Sequence, residues 1–269
     1  MAFSKKETQA FINQFPNYRE KIERYIHLTS TSDKPCVAVF GKYNHGKSTL
    51  LNALINQNNY FKASDKRETQ VNKVFLDQKN NLAWLDTPGL GADVHGIDDF
   101  EANKGVFVSA DIVLIIHTLK AGELDKEEVE HIKRLLNTSK NDNKLLVLTQ
   151  IDETNAEQQV QAVKRIREQV PLFEPILVSA KRYLTGIEKQ QPQLMERSGI
   201  PELNQKILGL TKTVQKQRET EINKLKTELD GLLNNRISEI NSEISLIKNE
   251  RKAKRQAFSH QLDQILKSI

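Results

Sequence analysis

The segment from Gly41 to Leu54 reads GKYNHGKSTLLNAL and joins an apolar run to a helical pattern. Gly41 and Gly46 permit a tight curl that points several backbone N–H groups at an anion. Lys47 can reach the terminal phosphates of a bound nucleotide, and the hydroxyl of Ser48 can bind Mg²⁺. The segment therefore predicts a phosphate-binding loop between a strand and a helix.

A second motif, Asp86-Thr87-Pro88-Gly89, follows another predicted strand. Asp86 can hold the Mg²⁺ shell through water, and Gly89 can present its N–H to the γ-phosphate. Between the two motifs, Thr69 stands in a polar loop and is the candidate hydroxyl that closes on Mg²⁺ and the γ-phosphate. The sequence predicts Mg²⁺ as a cofactor, with Ser48, Thr69 and Asp86 as its ligands.

Two further motifs are suited to reading a base. Thr149-Gln150-Ile151-Asp152 ends a predicted strand, and the carboxylate of Asp152 can accept two hydrogen bonds from the edge of guanine, which adenine does not offer. Ser179-Ala180-Lys181 ends the next strand, where a backbone N–H can meet the guanine carbonyl. Together these motifs favour guanine over adenine.

Short apolar runs alternate with longer amphipathic segments between residues 34 and 198, which predicts an α/β fold with a mainly parallel sheet covered on both faces. Only Asp77 to Asn81 separate the second and third runs. That connection is too short for a crossover helix, so one edge strand should be antiparallel. The six predicted strands are Cys36 to Phe40, Val71 to Leu76, Leu82 to Leu85, Ile112 to His117, Leu145 to Thr149 and Ile176 to Val178.

Helical patterns flank this region on both sides. Residues 1–33 predict short amphipathic helices, and residues 199–269 carry apolar residues at steps of three and four, which is typical of a coiled coil or thin bundle. We expect the two segments to pack together. Gly231 and the stretch from Lys248 to Arg255 offer places to bend, so the C-terminal segment is predicted to be a helical hairpin or a long stalk.

Composition narrows the remaining possibilities. The chain has 269 residues, a net charge of +5 and one cysteine, which excludes an internal disulfide framework. No run is long and apolar enough to cross a bilayer, and no secretory signal is evident, so a cytoplasmic location is expected. The six histidines show no metal-ligand spacing. His45 and His117 are therefore interpreted as structural or solvent-facing residues.

A basic run near the C-terminus has two interpretations. It could contact an anionic membrane surface, which would make the protein peripheral to a membrane, or it could be a solvated helix face or hairpin tip. Nucleic acid is disfavoured because no aromatic residues lie between the charges. The run consists of Lys248, Arg251, Lys252, Lys254 and Arg255.

The ordered motifs resemble those of the translation-factor-related P-loop GTPases over residues 34 to 181. The resemblance implies a bacterial-type GTPase that binds GTP and GDP, hydrolyses GTP and uses Lys47, Thr69, Gly89 and Asn44 in catalysis. Gln150 departs from the lysine usual in the family. The nucleotide-binding positions that the resemblance implies are Gly41, Asn44, His45, Gly46, Lys47, Ser48, Thr49, Thr149, Gln150, Asp152, Ser179, Ala180 and Lys181.

Two positions concern how water would be activated. Leu90 stands where Ras-like proteins carry a water-positioning glutamine, and an apolar side chain cannot do that work. Asn44 resembles the asparagine that holds K⁺ in cation-activated GTPases, where K⁺ stabilises the developing charge. Asn44 could equally serve only to tolerate a tight loop conformation.

Helices on both sides of the nucleotide-binding region resemble the bacterial dynamin-like GTPases. That resemblance implies a homodimer, or pairing with a partner GTPase, through the nucleotide-binding domains and a helical stalk that relays the change. Dynamin-like chains are usually about twice as long and carry a membrane-binding module. The alternatives are an Era-like GTPase acting on ribosomes or tRNA, and a coiled-coil interaction protein that a nucleotide switches.

Overall fold

The computed structural model describes residues 5–30, 34–61, 73–88, 105–136 and 143–268. Six strands form one sheet in the order β2-β3-β1-β4-β5-β6. All neighbouring strands are parallel except β2 and β3, which pair antiparallel at the edge. This confirms the predicted sheet. The strands are β1 (Cys36–Phe40), β2 (Lys73–Asp77), β3 (Leu82–Asp86), β4 (Ile112–Thr118), β5 (Lys144–Thr149) and β6 (Ile176–Leu177).

Among the described residues, β1 has the expected bounds and each other strand differs from its expected bounds by one residue at one end. β2 begins at Lys73 and runs to Asp77, while Val71 lies outside the described residues. β6 ends at Leu177 instead of Val178, although the N–H of Val178 still donates a hydrogen bond to the carbonyl of Leu148 on β5. Strand ends are the least certain part of a prediction from sequence, because apolar runs continue into the turns.

Helices cover both faces of the sheet. The α-helices among the described residues are α1 (Lys5–Gln14), α2 (Arg19–Ser30), α3 (Lys47–Leu54), α4 (Lys126–Leu136), α5 (Ala156–Gln169), α6 (Ala180–Glu188), α7 (Pro192–Glu196), α8 (Ile200–Thr211) and α9 (Val214–Ser268).

The hydrophobic core has two halves, one on each face of the sheet. Successive residues of β4 point alternately into them, with Ile112, Leu114 and Ile116 in one cluster and Val113 and Ile115 in the other. The first half contains buried residues of α3, α6 and α8, and the second contains buried residues of α4 and α5. A strand that buries both faces must be apolar throughout, as β4 is.

Helix α8 belongs to the core of the sheet domain. Ile200, Leu203 and Ile207 are buried in the same cluster as the residues of α3. The first compact unit accordingly extends from Met1 to Ile222, beyond the boundary at residue 198 that the sequence predicts. The sequence pattern places α8 with the stalk because its apolar spacing of three and four does not reveal which surface the helix packs against.

In the second compact unit, Asn223–Ile269, the described residues are all helical. Helix α9 continues from Val214 to Ser268 without a turn. Of the two alternatives that the sequence leaves open, the structure therefore has the long helix and not the hairpin with a bend at Gly231 or at Lys248–Arg255. The helical conformation is interrupted instead at residues 212 and 213, between α8 and α9. A single glycine costs a helix only about 1 kcal/mol, which is too little to interrupt it. No helix in the described part of the chain is long and apolar enough to span a membrane.

A buried ion-pair network ties α2 and the first turns of α9 to the sheet. Arg24 of α2 donates to Asp111, the residue before β4, at 3.1 Å and to Glu221 of α9 at 2.9 Å. Arg218 of α9 donates to both carboxylate oxygens of Asp111, at 2.7 and 3.0 Å. The N–H of Cys36 at the start of β1 also donates to Asp111. One carboxylate thus joins two helices and two strands.

We expect Asp111→Asn to lower the free energy of unfolding by about 3 kcal/mol, because it leaves two buried guanidinium groups without their shared charge. Fluorescence of Trp84, the sole tryptophan, which is fully buried in β3, reports this transition in urea. The matched control is Glu20→Gln, which removes a carboxylate whose partner Arg134 is about half exposed. It should cost less than about 1 kcal/mol.

The same substitution has a predicted pH dependence. Burial alone would raise the pKa of Asp111, but the hydrogen bond from Arg218 and the charges of Arg24 and Arg218 outweigh burial and lower it. A lowered native pKa stabilises the fold above the unfolded pKa of about 3.9, and this contribution disappears as the pH falls through the native value. The difference between wild type and Asp111→Asn should therefore shrink below about pH 4. An equal difference at pH 7 and pH 3 would contradict this account.

Candidate functional site

The loop from Gly41 to Gly46 curls between β1 and α3 at the carboxyl end of the sheet. A Cβ atom on Gly41 would lie 2.2 Å from the carbonyl oxygen of Ile116, so the backbones of β1 and β4 approach too closely here for any side chain. Gly46 has φ of 81° and Asn44 has φ of 61°, both in the left-handed region. The loop geometry therefore depends on these residues.

The side chain of Lys47 lies inside this loop. Its Nζ donates to the carbonyls of Gly41 at 3.0 Å and Lys42 at 2.8 Å, and the residue is buried. Burial lowers the pKa of Lys47 to about 8, against the opposing effect of the negative charge of Asp86. A phosphate that replaced these carbonyls would give the ammonium a full negative charge as its partner.

Ser48 and Asp86 meet directly. The hydroxyl of Ser48, in the first turn of α3, donates to Oδ2 of Asp86, at the end of β3, over 2.9 Å. Oδ1 of Asp86 is buried and has no hydrogen-bond partner. Mg²⁺ prefers hard oxygen ligands, and a buried oxygen with free lone pairs beside a hydroxyl suits it. These two residues fit the Mg²⁺ ion that the sequence predicts.

The charge of Asp86 supports the same interpretation. Burial raises the pKa of Asp86 to about 6, while the hydrogen bond from Ser48 and the charge of Lys47 act in the opposite direction. An isolated buried carboxylate is costly, so a divalent cation here would stabilise its ionised form.

The residues expected to read a base lie at the ends of β5 and β6. The hydroxyl of Ser179 donates to Oδ1 of Asp152 and accepts from the N–H of Arg182, so it also caps α6. Asp152 lies in a short 3₁₀ helix, Ile151–Glu153, that follows β5. Its carboxylate is thus held beside the first turn of α6, where Ala180 is buried and Lys181 is exposed.

Side chains from the end of β5 also hold the phosphate-binding loop. The hydroxyl of Thr149 lies 2.6 Å from the carbonyl of His45 and 3.3 Å from that of His117. Gln150 accepts a hydrogen bond from the hydroxyl of Thr118, and its amide donates to the carbonyl of Asn44 at 3.5 Å. The glutamine that replaces the usual lysine therefore contacts the loop.

The remaining predicted site residues are placed as follows. Thr49 lies in the first turn of α3, and Asn44 is exposed at the tip of the loop. Thr69, Gly89 and Leu90 lie outside the described residues. The basic run lies on α9, and its members Lys248, Arg251, Lys252, Lys254 and Arg255 are exposed.

The structure also brings together the two histidines interpreted above as structural or solvent-facing and a glutamate to which the sequence assigns no role. His45, His117 and Glu128 lie with their potential ligand atoms within 4.8 Å of one another, and His117 and Glu128 are buried. Spacing along the chain does not reveal this cluster. The available signal is topological, since a loop after β1 must meet the end of its parallel neighbour β4.

The chain matches a known protein family over residues 36–178, more than half of its length, and that family is described as 50S ribosome-binding GTPase. An uncharacterised protein of Acinetobacter baylyi is 36% identical over 221 residues, which cover 81% of this chain and 52% of the relative. GTPase Era of Fusobacterium nucleatum is 26% identical over 156 residues, covering 57% of this chain and 52% of Era. The chain thus spans about half the length of both relatives.

Two solved structures share the fold at low sequence identity. A chain of an oligomerised bacterial dynamin pair, described as a mechanism for long-range sensing and tethering of membranes, superposes with a TM-score of 0.55 at 17% identity. It covers 98% of this chain and 50% of the dynamin chain. The bacterial dynamin GTPase LeoA from ETEC superposes with a TM-score of 0.52 at 15% identity, and the match covers 84% of this chain and 44% of LeoA.

We expect Gly41→Ala to lower the free energy of unfolding by about 2 kcal/mol, because the added Cβ overlaps the Ile116 carbonyl and forces the two strands apart. The matched control is Gly209→Ala in α8, where an added Cβ meets nothing within 4 Å. Alanine is the better helix former, so this control should raise stability by about 0.5 kcal/mol. Urea unfolding followed at Trp84 measures both, and equal effects would contradict the close approach at Gly41.

Proposed function

Because the chain belongs to the 50S ribosome-binding GTPase family, we propose that it binds GTP and hydrolyses it to GDP and phosphate. The observation that carries this proposal is the hydrogen bond between Ser48 and Asp86 beside the buried amine of Lys47. Ser48, Asp86 and Lys47 thus place a hydroxyl, a carboxylate and a cation together at one end of the sheet. That is the set required by a triphosphate with its Mg²⁺ ion.

In this proposal, the backbone N–H groups at the start of α3 and the amine of Lys47 bind the β- and γ-phosphates. Ser48 binds Mg²⁺ directly and Asp86 holds its shell through water. Mg²⁺ supplies positive charge that stabilises the negative charge developing on the phosphate oxygens. Thr69 and the N–H of Gly89 are proposed to complete the site around the γ-phosphate when GTP is bound.

Asp152 is proposed to accept two hydrogen bonds from guanine, with a backbone N–H of the segment from Ser179 to Lys181 meeting the guanine carbonyl. The hydrogen bond from Ser179 to Asp152 supports this proposal, because it places both segments on one side of the site. Gln150 lacks the long stem of lysine, so it is expected to cover less of the base.

We expect Asp152→Asn to weaken GDP binding roughly 100-fold and to improve xanthosine diphosphate binding, because the amide replaces an acceptor by a donor. Titration of a fluorescent GDP analogue with unlabelled GDP, xanthosine diphosphate and ADP measures this. The matched control, Glu153→Gln, changes the next carboxylate, whose partner Lys120 is exposed, and should leave selectivity unchanged. Preference of the wild type for ADP, or unchanged selectivity in Asp152→Asn, would refute the proposed base recognition.

A dynamin-like role is proposed on the basis of layout. Helices α1 and α2 precede the nucleotide-binding region and α9 follows it, and the bacterial dynamin fold covers nearly the whole chain. The network around Asp111 connects α2 and α9 directly to β4, so a change in the sheet domain reaches both helices. We propose that two nucleotide-binding domains pair across GTP and that the exposed basic run on α9 contacts an anionic membrane surface.

Without a glutamine at Leu90, the charge of the reacting phosphates must be stabilised in another way. We propose that K⁺ bound at Asn44 supplies it. The side chain of Asn44 is exposed, so it can face a bound nucleotide. Its left-handed backbone also fits the alternative that Asn44 serves only to tolerate the tight conformation of the loop. Asn44→Gly separates the two, because glycine keeps the backbone conformation and removes the amide oxygen.

With GDP and aluminium fluoride, we expect the chain to dimerise in K⁺ buffer and to remain largely monomeric in Na⁺ buffer, because the transition-state analogue needs the monovalent cation. Sedimentation velocity measures the dimer fraction. Asn44→Gly should lose the difference between the two cations while still binding GDP. A monomer under every condition would remove the pairing proposal, and cation-independent dimers would remove the role of K⁺ alone.

An Era-like role is the second candidate, favoured by the similarity to Era of Fusobacterium nucleatum over 156 residues. A third is a coiled-coil protein switched by nucleotide, favoured by the exposed apolar residues Ile237, Ile240 and Ile244 of α9. Cosedimentation with anionic liposomes supports the dynamin-like role, and cosedimentation with ribosomes supports the Era-like role.

A further inference from the structure

Three side chains converge at the phosphate-binding loop, and the proposed binding of GTP uses none of them, although His45 is one of the nucleotide-binding positions that the resemblance implies. His45 comes from the loop itself, His117 from the end of β4 and Glu128 from the first turn of α4. Nδ1 of His117 lies 2.8 Å from Oε1 of Glu128, and Nδ1 of His45 lies 3.4 Å from the same oxygen. The potential ligand atoms all lie within 4.8 Å of one another.

The central atoms of this cluster meet around one position. Nε2 of His117 lies 3.2 Å from the carbonyl of Gly122 and Nδ1 lies 2.8 Å from Oε1 of Glu128, so both ring nitrogens have an acceptor beside them. A proton on Nδ1 forms the hydrogen bond to Glu128, and loss of that proton leaves a lone pair directed at the carboxylate. Nδ1 of His45 is buried and has no hydrogen-bond partner. The two imidazole nitrogens and the carboxylate oxygen therefore surround a position that a proton or a metal ion can occupy.

The carboxylate of Glu128 is held in place by the start of its own helix. Oε2 accepts the N–H of Asp125 at 3.1 Å, while Oδ1 of Asp125 accepts the N–H of Glu128 at 2.9 Å. This reciprocal capping leaves Oε1 directed at the two imidazoles. Ligands held by second interactions of this kind are typical of metal sites in proteins.

The protonation states suit metal binding. Burial lowers the pKa of His45 to about 4, with further lowering from the charge of Lys47 and of His117, so the ring is neutral at pH 7. Burial alone would raise the pKa of Glu128, but the hydrogen bond with His117 outweighs it and lowers the value. A metal ion requires neutral imidazole and ionised carboxylate as ligands.

We propose that Nδ1 of His45, Nδ1 of His117 and Oε1 of Glu128 form a binding site for a divalent transition-metal ion of the Zn²⁺ class, with water as the fourth ligand. Two histidines and one glutamate are a common Zn²⁺ ligand set. Ligand atoms in a tetrahedral Zn²⁺ site lie about 3.4 Å apart, given bonds of about 2.1 Å. The His45–Glu128 distance already has this value. His117 and Glu128 need to separate by about 0.6 Å, as the ion displaces the proton between them.

The proposed ion differs from the Mg²⁺ ion of the nucleotide site in both place and chemistry. Imidazole ligands select Zn²⁺ and its neighbours over Mg²⁺, which prefers oxygen. Because His45 belongs to the phosphate-binding loop, the ion would tie that loop to β4 and α4. A consequence that rests on the proposed nucleotide binding is that the ion slows exchange of GDP by restraining the loop.

The test uses the full chain freed of metal with a chelator. Titration with Zn²⁺ by calorimetry, and with Co²⁺ by the visible absorption of its four-coordinate form, should give one ion per chain in the presence of excess Mg²⁺. His117→Gln and Glu128→Gln should each weaken binding at least tenfold. The matched control is His131→Gln, a histidine of α4 that contacts the ring of Phe40, and it should leave the affinity unchanged.

Absence of a one-to-one complex with either ion, or equal affinity in wild type, His117→Gln and Glu128→Gln, would overturn the proposal. So would an equal loss in His131→Gln. GDP binding is measured on the same metal-free samples. A chain that binds Zn²⁺ but not GDP would refute the proposed function and leave the metal site standing, whereas the reverse result would refute only the metal site.

Discussion

The parallel pairing of β1 with β3 and β4 is the constraint on which the site depends. Parallel strands end at the same edge of a sheet, so the loop after β1 necessarily meets the residues that follow its two neighbours. On one side this brings Ser48 to Asp86, and on the other it brings His45 to His117. The contact of Gly41 with the Ile116 carbonyl shows how tightly the strands must approach for this to occur.

Features encoded by local spacing could be predicted from the sequence. The strand before the loop, the helix after it and the antiparallel edge formed by β2 and β3 all follow from apolar runs and the length of a connection. The approach of Ser48 to Asp86 follows from the order of two motifs. The pairing of Asp152 with Ser179 follows in the same way, because each motif begins where a strand ends.

Features that depend on distant residues could not be predicted in this way. Glu128 lies on an amphipathic helix and gives no sign in the sequence that it faces two histidines. The carboxylate of Asp111 has partners on helices 87 and 107 residues away along the chain. The hairpin that the sequence leaves open for α9 illustrates the opposite error. Glycine at position 231 and a charged stretch permit a turn, but nothing among the described contacts of Gly231 demands one.

Thr149 couples the part of the proposed nucleotide site that would recognise the base to the part that would bind the phosphates. Its hydroxyl, three residues before Asp152, lies 2.6 Å from the carbonyl of His45 in the phosphate-binding loop and 3.3 Å from the carbonyl of His117 at the end of β4. The segment that would recognise the purine, Thr149 to Asp152, is therefore hydrogen-bonded directly to the loop that would bind the phosphates. The binding free energies that substitutions remove at the purine end and at the phosphate end of a nucleotide should therefore not be additive. A shift of either protein segment is transmitted to the other through the hydroxyl of Thr149.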